Sequence, residues 1–289
     1  MQILRPTVLT ATLAALSVAS SLAHADAFTF STGDPDGKIA TASRPTANGK
    51  IEIESADDFI LGSTTKLTKA SFTGLLTGGA KLSDIGSVTV EIYRVFDKDS
   101  TNPPSGNVPT RVNSPSDVAF QTRSSTSAEL SFSTVVLNTS YTAANSVLNG
   151  INKSPNEFTG GEGAVTGTEV RFDVDLSSAL ILPGDHYFFI PQVDVAGGEF
   201  MWLSAPKPIL APGTPFVPDL QSWIRNENLA PDWLRIGTDI TRQGPFNASF
   251  SLAGETVAAV PEPQTWALLF VGLGVVGGVA RRRARALTR

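Results

Sequence analysis

The sequence has no cysteine and only two histidines in 289 residues. Without cysteine the chain can form no disulfide, no thiolate metal site and no thiol nucleophile. One histidine, His24, lies near the N-terminus, so His186 is the only imidazole in the body of the chain. We therefore expect no zinc site of the usual cysteine and histidine ligands, and no cofactor. A domain of this size can bury a sufficient core without disulfides.

The body of the chain is also poor in positive charge. Residues 26–260 contain 16 lysines and arginines against 26 aspartates and glutamates. The resulting net charge of about −10 argues against nucleic acid or anionic lipid as a partner.

The N-terminus has the pattern of a secretory leader. Arg5 precedes an apolar stretch from Val8 to Leu22, and the sequence Ala23-His24-Ala25 follows it. An A-x-A site after a short apolar region is typical of a signal peptide. The sequence therefore predicts a signal peptide over residues 1–25, cleavage between Ala25 and Asp26, and a Sec-type export machinery as a partner.

The C-terminus carries a second targeting pattern, over residues 259–289. It consists of a short motif at 260–263, an apolar helix at 265–280 and a basic end at 281–289. As a helix, the uncharged run Trp266–Ala280 would be about 22 Å long, which is marginal for crossing a bilayer. Arginines after such a run are retained in the cytoplasm, so the preceding domain would lie outside. The residues that carry the pattern are Pro261, Glu262, Pro263, Arg281, Arg282 and Arg283.

In all three parts this tail resembles the PEP-CTERM sorting signal of exosortase-processed proteins in Gram-negative bacteria. The resemblance implies that a membrane exosortase recognises Pro261-Glu262-Pro263 and cleaves nearby. It also implies transient anchoring by the helix, followed by release or attachment at the cell surface, often in bacteria that make exopolysaccharide. The segments Ala56–Leu61, Val90–Val95 and Leu220–Arg225 resemble uncharacterised cores of other PEP-CTERM proteins, from which no activity can be inferred.

Between the two signals, apolar and polar residues alternate in many short runs. In Glu169–Leu176, for example, Val170, Phe172, Val174 and Leu176 lie on one face. Period two with one polar face is typical of antiparallel strands. Similar runs occur at Phe28–Phe30, Ile51–Ile53, Ala70–Leu76, from Val88 onward, and at Glu129–Leu137, Tyr187–Val195, Trp233–Ile240 and Phe246–Leu252.

This pattern predicts one all-β domain over residues 26–258, a single β-sandwich that is jelly-roll-like. One or two short helices are expected, at Asp219–Arg225 and at Ser146–Ile151. The proline-rich stretch Lys207–Pro218 is expected to be a long loop within the same domain.

Hydrolysis with a Ser–His–Asp triad would have to use His186, oriented by Asp185 or Asp194. No G-x-S-x-G sequence accompanies it, and His186 begins an aromatic strand pattern. The sequence therefore favours a half-buried structural histidine.

Paired carboxylates are the residues that a glycosidase would use. The candidates are Asp57-Asp58, Asp97 with Asp99, and Asp173 with Asp175. Asp173 and Asp175 share a strand face with Glu169 and Arg171, which indicates a solvated sheet face rather than a catalytic pair.

Two further patterns are compatible with binding. Asp34-Pro-Asp36-Gly37 begins like a calcium loop that Asp57 or Asp58 could complete, although a plain turn is favoured because no other ligand follows. The tryptophans Trp202, Trp223 and Trp233 could stack on sugars, but their apolar neighbours favour the core.

Together these features predict an exported, exosortase-sorted protein of the cell surface or extracellular matrix, without enzymatic activity and associated with exopolysaccharide. One alternative is a secreted protein that binds or hydrolyses carbohydrate. Another is a single-pass membrane protein whose tail is never removed.

We predict that the mature protein begins at Asp26 and lacks Arg281–Arg289, because both ends are processing signals. Replacement of Pro261-Glu262-Pro263 by alanines should leave the chain uncut at the inner membrane. Intact-mass spectrometry of both forms from a host with exosortase tests this. A wild-type protein that still ends in Arg289 would show that the tail is an ordinary anchor.

Overall fold

The computed structural model describes residues 25–103, 105–151, 158–206, 220–257, 270–274, 276–278 and 281–282. Asp26–Val257 forms one compact unit, and the tail belongs to a separate one. Ala23, the loop Lys207–Pro218, the triplet Pro261–Pro263 and Arg283 lie outside the described residues.

The described part of the domain contains fifteen β-strands and three short helical turns. The turns are Leu82–Asp84, Ser125–Ser127 and Ile236–Ile240. The strands are β1 Ala27–Ser31, β2 Ile39–Ala42, β3 Ile53–Ile60, β4 Thr65–Thr77, β5 Ile85–Arg94, β6 Gln121–Ser124, β7 Ser131–Ala143, β8 Asn145–Val147, β9 Val165–Leu182, β10 His186–Val195, β11 Glu199–Ala205, β12 Trp223–Asn226, β13 Leu234–Arg235, β14 Asn247–Ala248 and β15 Phe250–Thr256.

These strands form two sheets. The six-stranded sheet has the order β13-β12-β3-β10-β5-β6. In the nine-stranded sheet, β4 pairs with β15 and β11 and also with β9, and β9 pairs with β7. All pairs are antiparallel except β2 with β8. The prediction of a mostly β protein with two sheets is confirmed, while the jelly-roll-like topology stays a prediction.

The main hydrophobic core lies between the two sheets. Val170, Phe172, Val174 and Leu176 of β9 are all buried in it, as their alternation predicts. Aromatic rings join the sheets: Phe189 of β10 stacks on Phe250 of β15 with ring centroids 5.0 Å apart. The two sheets therefore make a sandwich in which a third of the buried core residues are aromatic.

The first and last strands of the domain are neighbours. β1 pairs with β15 from Ala27 opposite Glu255 to Ser31 opposite Ser251. Beyond them, the Asp26 amide donates to the Thr256 side-chain oxygen at 2.9 Å, and the Thr256 amide donates to the Asp26 carbonyl at 2.8 Å. The two ends of the domain are thus held side by side.

The helix predicted at Asp219–Arg225 is wrong. Asp219 lies outside the described residues, and Trp223–Asn226 is strand β12, paired with β3 and β13. Trp223 and Ile224 enter two different hydrophobic clusters, on opposite sides of the strand. A helix would place both next to Leu220, at i+3 and i+4, so the pairing with β3 determined the structure here.

Two other predicted elements also differ. Instead of a helical turn at Ser146–Ile151, the chain forms strand β8, which pairs with β2. Instead of one strand over Trp233–Ile240, β13 ends at Arg235 and Ile236–Ile240 forms a π-helical turn. The Asp239 carboxylate accepts the Arg235 amide at 2.8 Å and also binds its guanidinium group. This local ion pair closes the turn in place of a longer strand.

The long loop between β5 and β6 is fastened by a buried arginine. The Arg111 side chain is fully buried and pairs with Asp117 at 3.1 Å and with Asp232 at 3.3 Å. It also donates to the Pro115 carbonyl and lies over the Phe96 ring. Arg111 is therefore the cation between two buried carboxylates from distant parts of the chain.

We predict that Arg111→Met destabilises the domain by about 3–5 kcal/mol, because it leaves Asp117 and Asp232 buried without their cation. Urea unfolding followed by tryptophan fluorescence measures the loss. Lys38→Ala is the control, since the Lys38 side chain is 69% exposed, and its effect should be small. An Arg111 variant as stable as wild type would contradict this role.

Candidate functional site

The outer face of the nine-stranded sheet carries an open polar groove. Two cavities of about 430 and about 340 Å³ adjoin there and share Ser71, Asp173 and Ser251. We call this region the sheet groove and define it by Asp34, Lys69, Ser71, Ser133, Arg171, Asp173, Asp175 and Ser251. Its strand residues alternate with core residues such as Phe72 and Val174, so one period-two pattern makes both the core and the groove.

Polar pairs line the floor of the sheet groove. Two nitrogens of the Arg171 guanidinium donate to the two Asp173 carboxylate oxygens, each at 2.9 Å. The hydroxyls of Ser71 and Ser251 lie 2.7 Å apart. The side chains of Arg171 and Asp173 are 43% and 41% exposed, which confirms the solvated face that the sequence predicts at these positions.

Glu169 departs from that prediction, because it is only 7% exposed. Burial raises the pKa of Glu169, and the charge of Asp34 raises it further. Asp34 of the sheet groove is therefore close enough to the buried Glu169 for their charges to interact.

The Asp34–Gly37 segment forms a turn. One Asp36 carboxylate oxygen accepts the Lys38 amide at 3.1 Å and the Ser204 hydroxyl at 2.5 Å, and the other pairs with Lys38 Nζ at 3.2 Å. The described residues contain no group of three or more histidines, cysteines, aspartates or glutamates arranged to hold a metal ion. The bond from the Lys38 amide to the Asp36 side chain is typical of an aspartate turn.

Asp57 and Asp58, the residues that could complete a calcium loop, are both buried in β3. Asp57 accepts the Ser222 hydroxyl at 2.8 Å and the Ala248 amide at 2.9 Å. Asp58 accepts the Leu220 amide at 3.1 Å. The pair therefore fastens chain segments from 220 to 248 onto β3.

His186 begins β10 and bonds to Asp58, with Nε2 2.6 Å from the carboxylate oxygen. Its side chain is 17% exposed, which confirms the half-buried strand histidine. The two aspartates that the sequence offers as triad partners are engaged elsewhere: Asp185 pairs with Lys98, and Asp194 accepts from Asn48. In the remaining predicted pair, Asp99 forms an ion pair with Arg94 at 3.0 Å.

The three tryptophans of the domain are in the core, as predicted. Trp202, Trp223 and Trp233 are each at most 1% exposed. Each indole N–H donates to a backbone carbonyl, of Ser249, Leu220 and Ser116 respectively. They therefore offer no stacking surface for a sugar.

A cluster of glutamates that sequence reasoning missed lies on the six-stranded sheet. Glu54 is buried, accepts the Tyr93 hydroxyl at 2.7 Å and pairs with Arg225, which stacks over Trp233. The Glu91 side chain is in hydrogen-bond contact with Glu54. In Glu52-Ile-Glu54 and in Glu91-Ile-Tyr93, the two polar residues of each sequence lie on the same face of their strand. This alternation is the sequence signal that could have revealed the cluster.

Burial raises the pKa of Glu91 to about 8, and the charges of Glu54 and Glu52 act in the same direction. Burial also raises the pKa of Glu52, although the Gln192 amide, 2.9 Å away, opposes that rise. Near neutral pH, Glu91 therefore holds a proton that allows two carboxyl groups to lie in contact.

The tail is helical at residues 270–274, 276–278 and 281–282, which include Arg281 and Arg282. Among the described residues, no helix has both the length and the apolar character needed to cross a membrane. The transmembrane helix that the sequence suggests over 265–280 is thus not found in the described part of the chain.

Residues 259–284 match the model of the PEP-CTERM protein-sorting motif. This confirms the resemblance noted in the sequence, and it identifies an exported protein with transient membrane anchoring through its C-terminal signal. The motif implies processing by exosortase, a membrane enzyme. No curated protein matches the chain. The match covers the tail alone, so inferences about the β domain depend on its geometry.

We predict that Glu91 makes the domain less stable as pH rises. Its folded-state pKa lies above the unfolded value, so the folded state retains a proton that the unfolded state releases between about pH 4.5 and 8. The free energy of unfolding of wild type relative to Glu91→Gln should fall by at most about 1.4 kcal/mol per pH unit in that window and level off above it.

Urea unfolding at a series of pH values measures this difference. Glu255→Gln serves as the control, because Glu255 is exposed and paired only with Lys66 among the described charges. A difference between wild type and Glu91→Gln that does not change with pH would contradict the assignment.

Proposed function

We propose that this exported, exosortase-sorted protein acts at the cell surface or in the extracellular matrix as a non-enzymatic protein that binds exopolysaccharide. The observation that carries the proposal is the sheet groove. Its serine hydroxyls, carboxylates and basic groups supply both hydrogen-bond donors and hydrogen-bond acceptors. They are arranged on a sheet and open to solvent. A sugar chain presents the complementary hydroxyl groups along its length.

The charges of the sheet groove favour a neutral polysaccharide. Lys69 and Arg171 are outnumbered by Asp34, Asp173 and Asp175, and the whole domain is acidic. An anionic polymer would be repelled by such a surface. We therefore propose that uncharged sugar units occupy the groove.

A non-enzymatic role is supported by how the candidate catalytic residues are bonded. His186, Asp57 and Asp58 hold chain segments together on β3. In the sheet groove, Asp173 is bound by two nitrogens of the Arg171 guanidinium. Asp57 accepts the Ser222 hydroxyl, but Ser222 is buried, so this hydroxyl is not accessible to a substrate.

Carbohydrate hydrolysis remains the second candidate, and one observation favours it. Glu91 and Glu54 are carboxyl groups in contact, and Glu91 has a pKa of about 8. A glycosidase needs one carboxyl group that stays protonated at neutral pH and another that is ionised, but it holds them about 5–10 Å apart and not in contact. Against this candidate, Glu54 is committed to Tyr93 and Arg225 in a buried network.

The destination of the processed protein is also a proposal. Removal of the basic tail would free the domain from the inner membrane and allow it to reach the surface or the matrix. A permanent single-pass anchor is the alternative, and the mass of the mature protein distinguishes the two.

We predict that the double variant Lys69→Ala/Arg171→Ala binds exopolysaccharide at least about tenfold more weakly than wild type, since it removes two charge-assisted donors. Co-sedimentation of the exported protein with exopolysaccharide from the producing bacterium provides the measurement. The control Lys66→Ala/Lys81→Ala removes the same charge from positions outside the groove.

Equal binding by both double variants would contradict the sheet groove as the binding site. Shortening of the polysaccharide, detected as new reducing ends that Glu91→Gln abolishes, would instead support the hydrolase alternative.

A further inference from the structure

Strand β7, Ser131–Ala143, lies at an edge of the nine-stranded sheet. It pairs with β9, and none of the other described strands pairs with it. Most of its side chains are exposed. Its outer edge therefore presents unpaired backbone N–H and C=O groups, which another extended strand can bind.

Strand β7 lacks the residues that usually prevent a second strand from pairing with a sheet edge. Its thirteen residues include no charged residue and no proline, the two kinds of residue with which proteins usually protect a sheet edge. Other terminal strands are protected: β6 has four residues including Arg123, and β13 has two including Arg235. Strand β1, at the opposite edge of the same sheet, has only five residues and follows Asp26.

The regular part of β7 is its first half. Ser131–Val136 pairs with β9 in one uninterrupted register, whereas the register shifts between Val136 and Asn138 and again before Tyr141. Such irregularities bend a strand and interrupt pairing. Ser131–Val136 is therefore the part of the edge that another strand can pair with. In this part, the side chains of Val135 and Val136 are each 40% exposed.

Charge indicates which strand binds there. The domain carries about −10 charges, so two copies repel one another over most of their surface. An uncharged edge is the place where identical acidic copies can approach most closely. A two-fold symmetric pair also brings the same segment together with itself, as homodimer contacts require.

We propose that β7 pairs antiparallel with β7 of a second copy, with the two-fold axis at Thr134. This register places Phe132 opposite Val136 of the second copy and Ser133 opposite Val135 of the second copy. Aromatic and β-branched cross-strand pairs are favourable, and the contact covers both exposed valines. The two nine-stranded sheets then continue across the dimer.

The absence of cysteine allows a direct test of this register in the full exported protein. Residues directly opposite in antiparallel strands have Cα atoms about 4.5–5.5 Å apart, within the range of a disulfide. Thr134→Cys should therefore form a covalent dimer on mild oxidation, whereas Thr29→Cys, on β1 at the other edge, should not. Equal cross-linking of the two variants, or none by Thr134→Cys, would overturn the proposal.

Charge variants test the contact without cross-linking. Val135→Glu and Val135→Lys should each raise the dissociation constant of the dimer at least about tenfold, because two like charges then lie diagonally across the axis, about 7–8 Å apart. An equal mixture of the two should recover association, which a folding defect could not do. Light scattering over a concentration series gives the dissociation constants, and urea midpoints equal to wild type show that the variants are folded. A monomeric wild type, or variants that associate like it, would exclude the dimer.

Discussion

Aromatic packing between the two sheets is the interaction on which the rest of this domain depends. Phe189 lies parallel to Phe250 across the sandwich, and Trp202 meets both rings edge-on. In a chain without disulfides, this desolvated contact is the main link between the sheets. It also fixes the other face of each strand, since turning Phe72 and Phe172 inward turns Ser71, Arg171 and Asp173 outward. The polar groove is thus a geometric consequence of the core.

The two sheets use their outer faces differently. The nine-stranded sheet keeps its face open to water, with exposed hydroxyls and an exposed ion pair. The outer face of the six-stranded sheet is covered by the segments that carry Trp233 and Arg111, and Glu54 and Arg225 are buried there. Charged residues on the covered face must be paired because they have lost their water. Charged residues on the open face keep their water and remain available to a ligand.

The sequence predicts features that depend on neighbouring residues, and it misses contacts between residues that are far apart in the chain. Alternation in β9 and the burial of the tryptophans could be predicted, because a strand period is visible within a few residues. The bond of His186 to Asp58 spans 128 positions and that of Arg111 to Asp232 spans 121, so no local pattern predicts either. The same holds for the contact between Glu54 and Glu91, although each strand shows its own polar face. At Leu220–Ile224, helix-like spacing was misleading because pairing with β3 was stronger than local preference.

The pairing of β1 with β15 makes folding dependent on the last residues of the domain. The edge of the nine-stranded sheet cannot close until Phe250–Thr256 has emerged, because these residues join β1 to β4. A chain that crosses a membrane from its N-terminus would consequently remain without this closure for most of its passage, and closure over such a sequence separation is slow. In such a passage the nine-stranded sheet would be completed only after the residues directly before the sorting signal have crossed. Export and completion of the sheet are then successive events, ordered by topology alone.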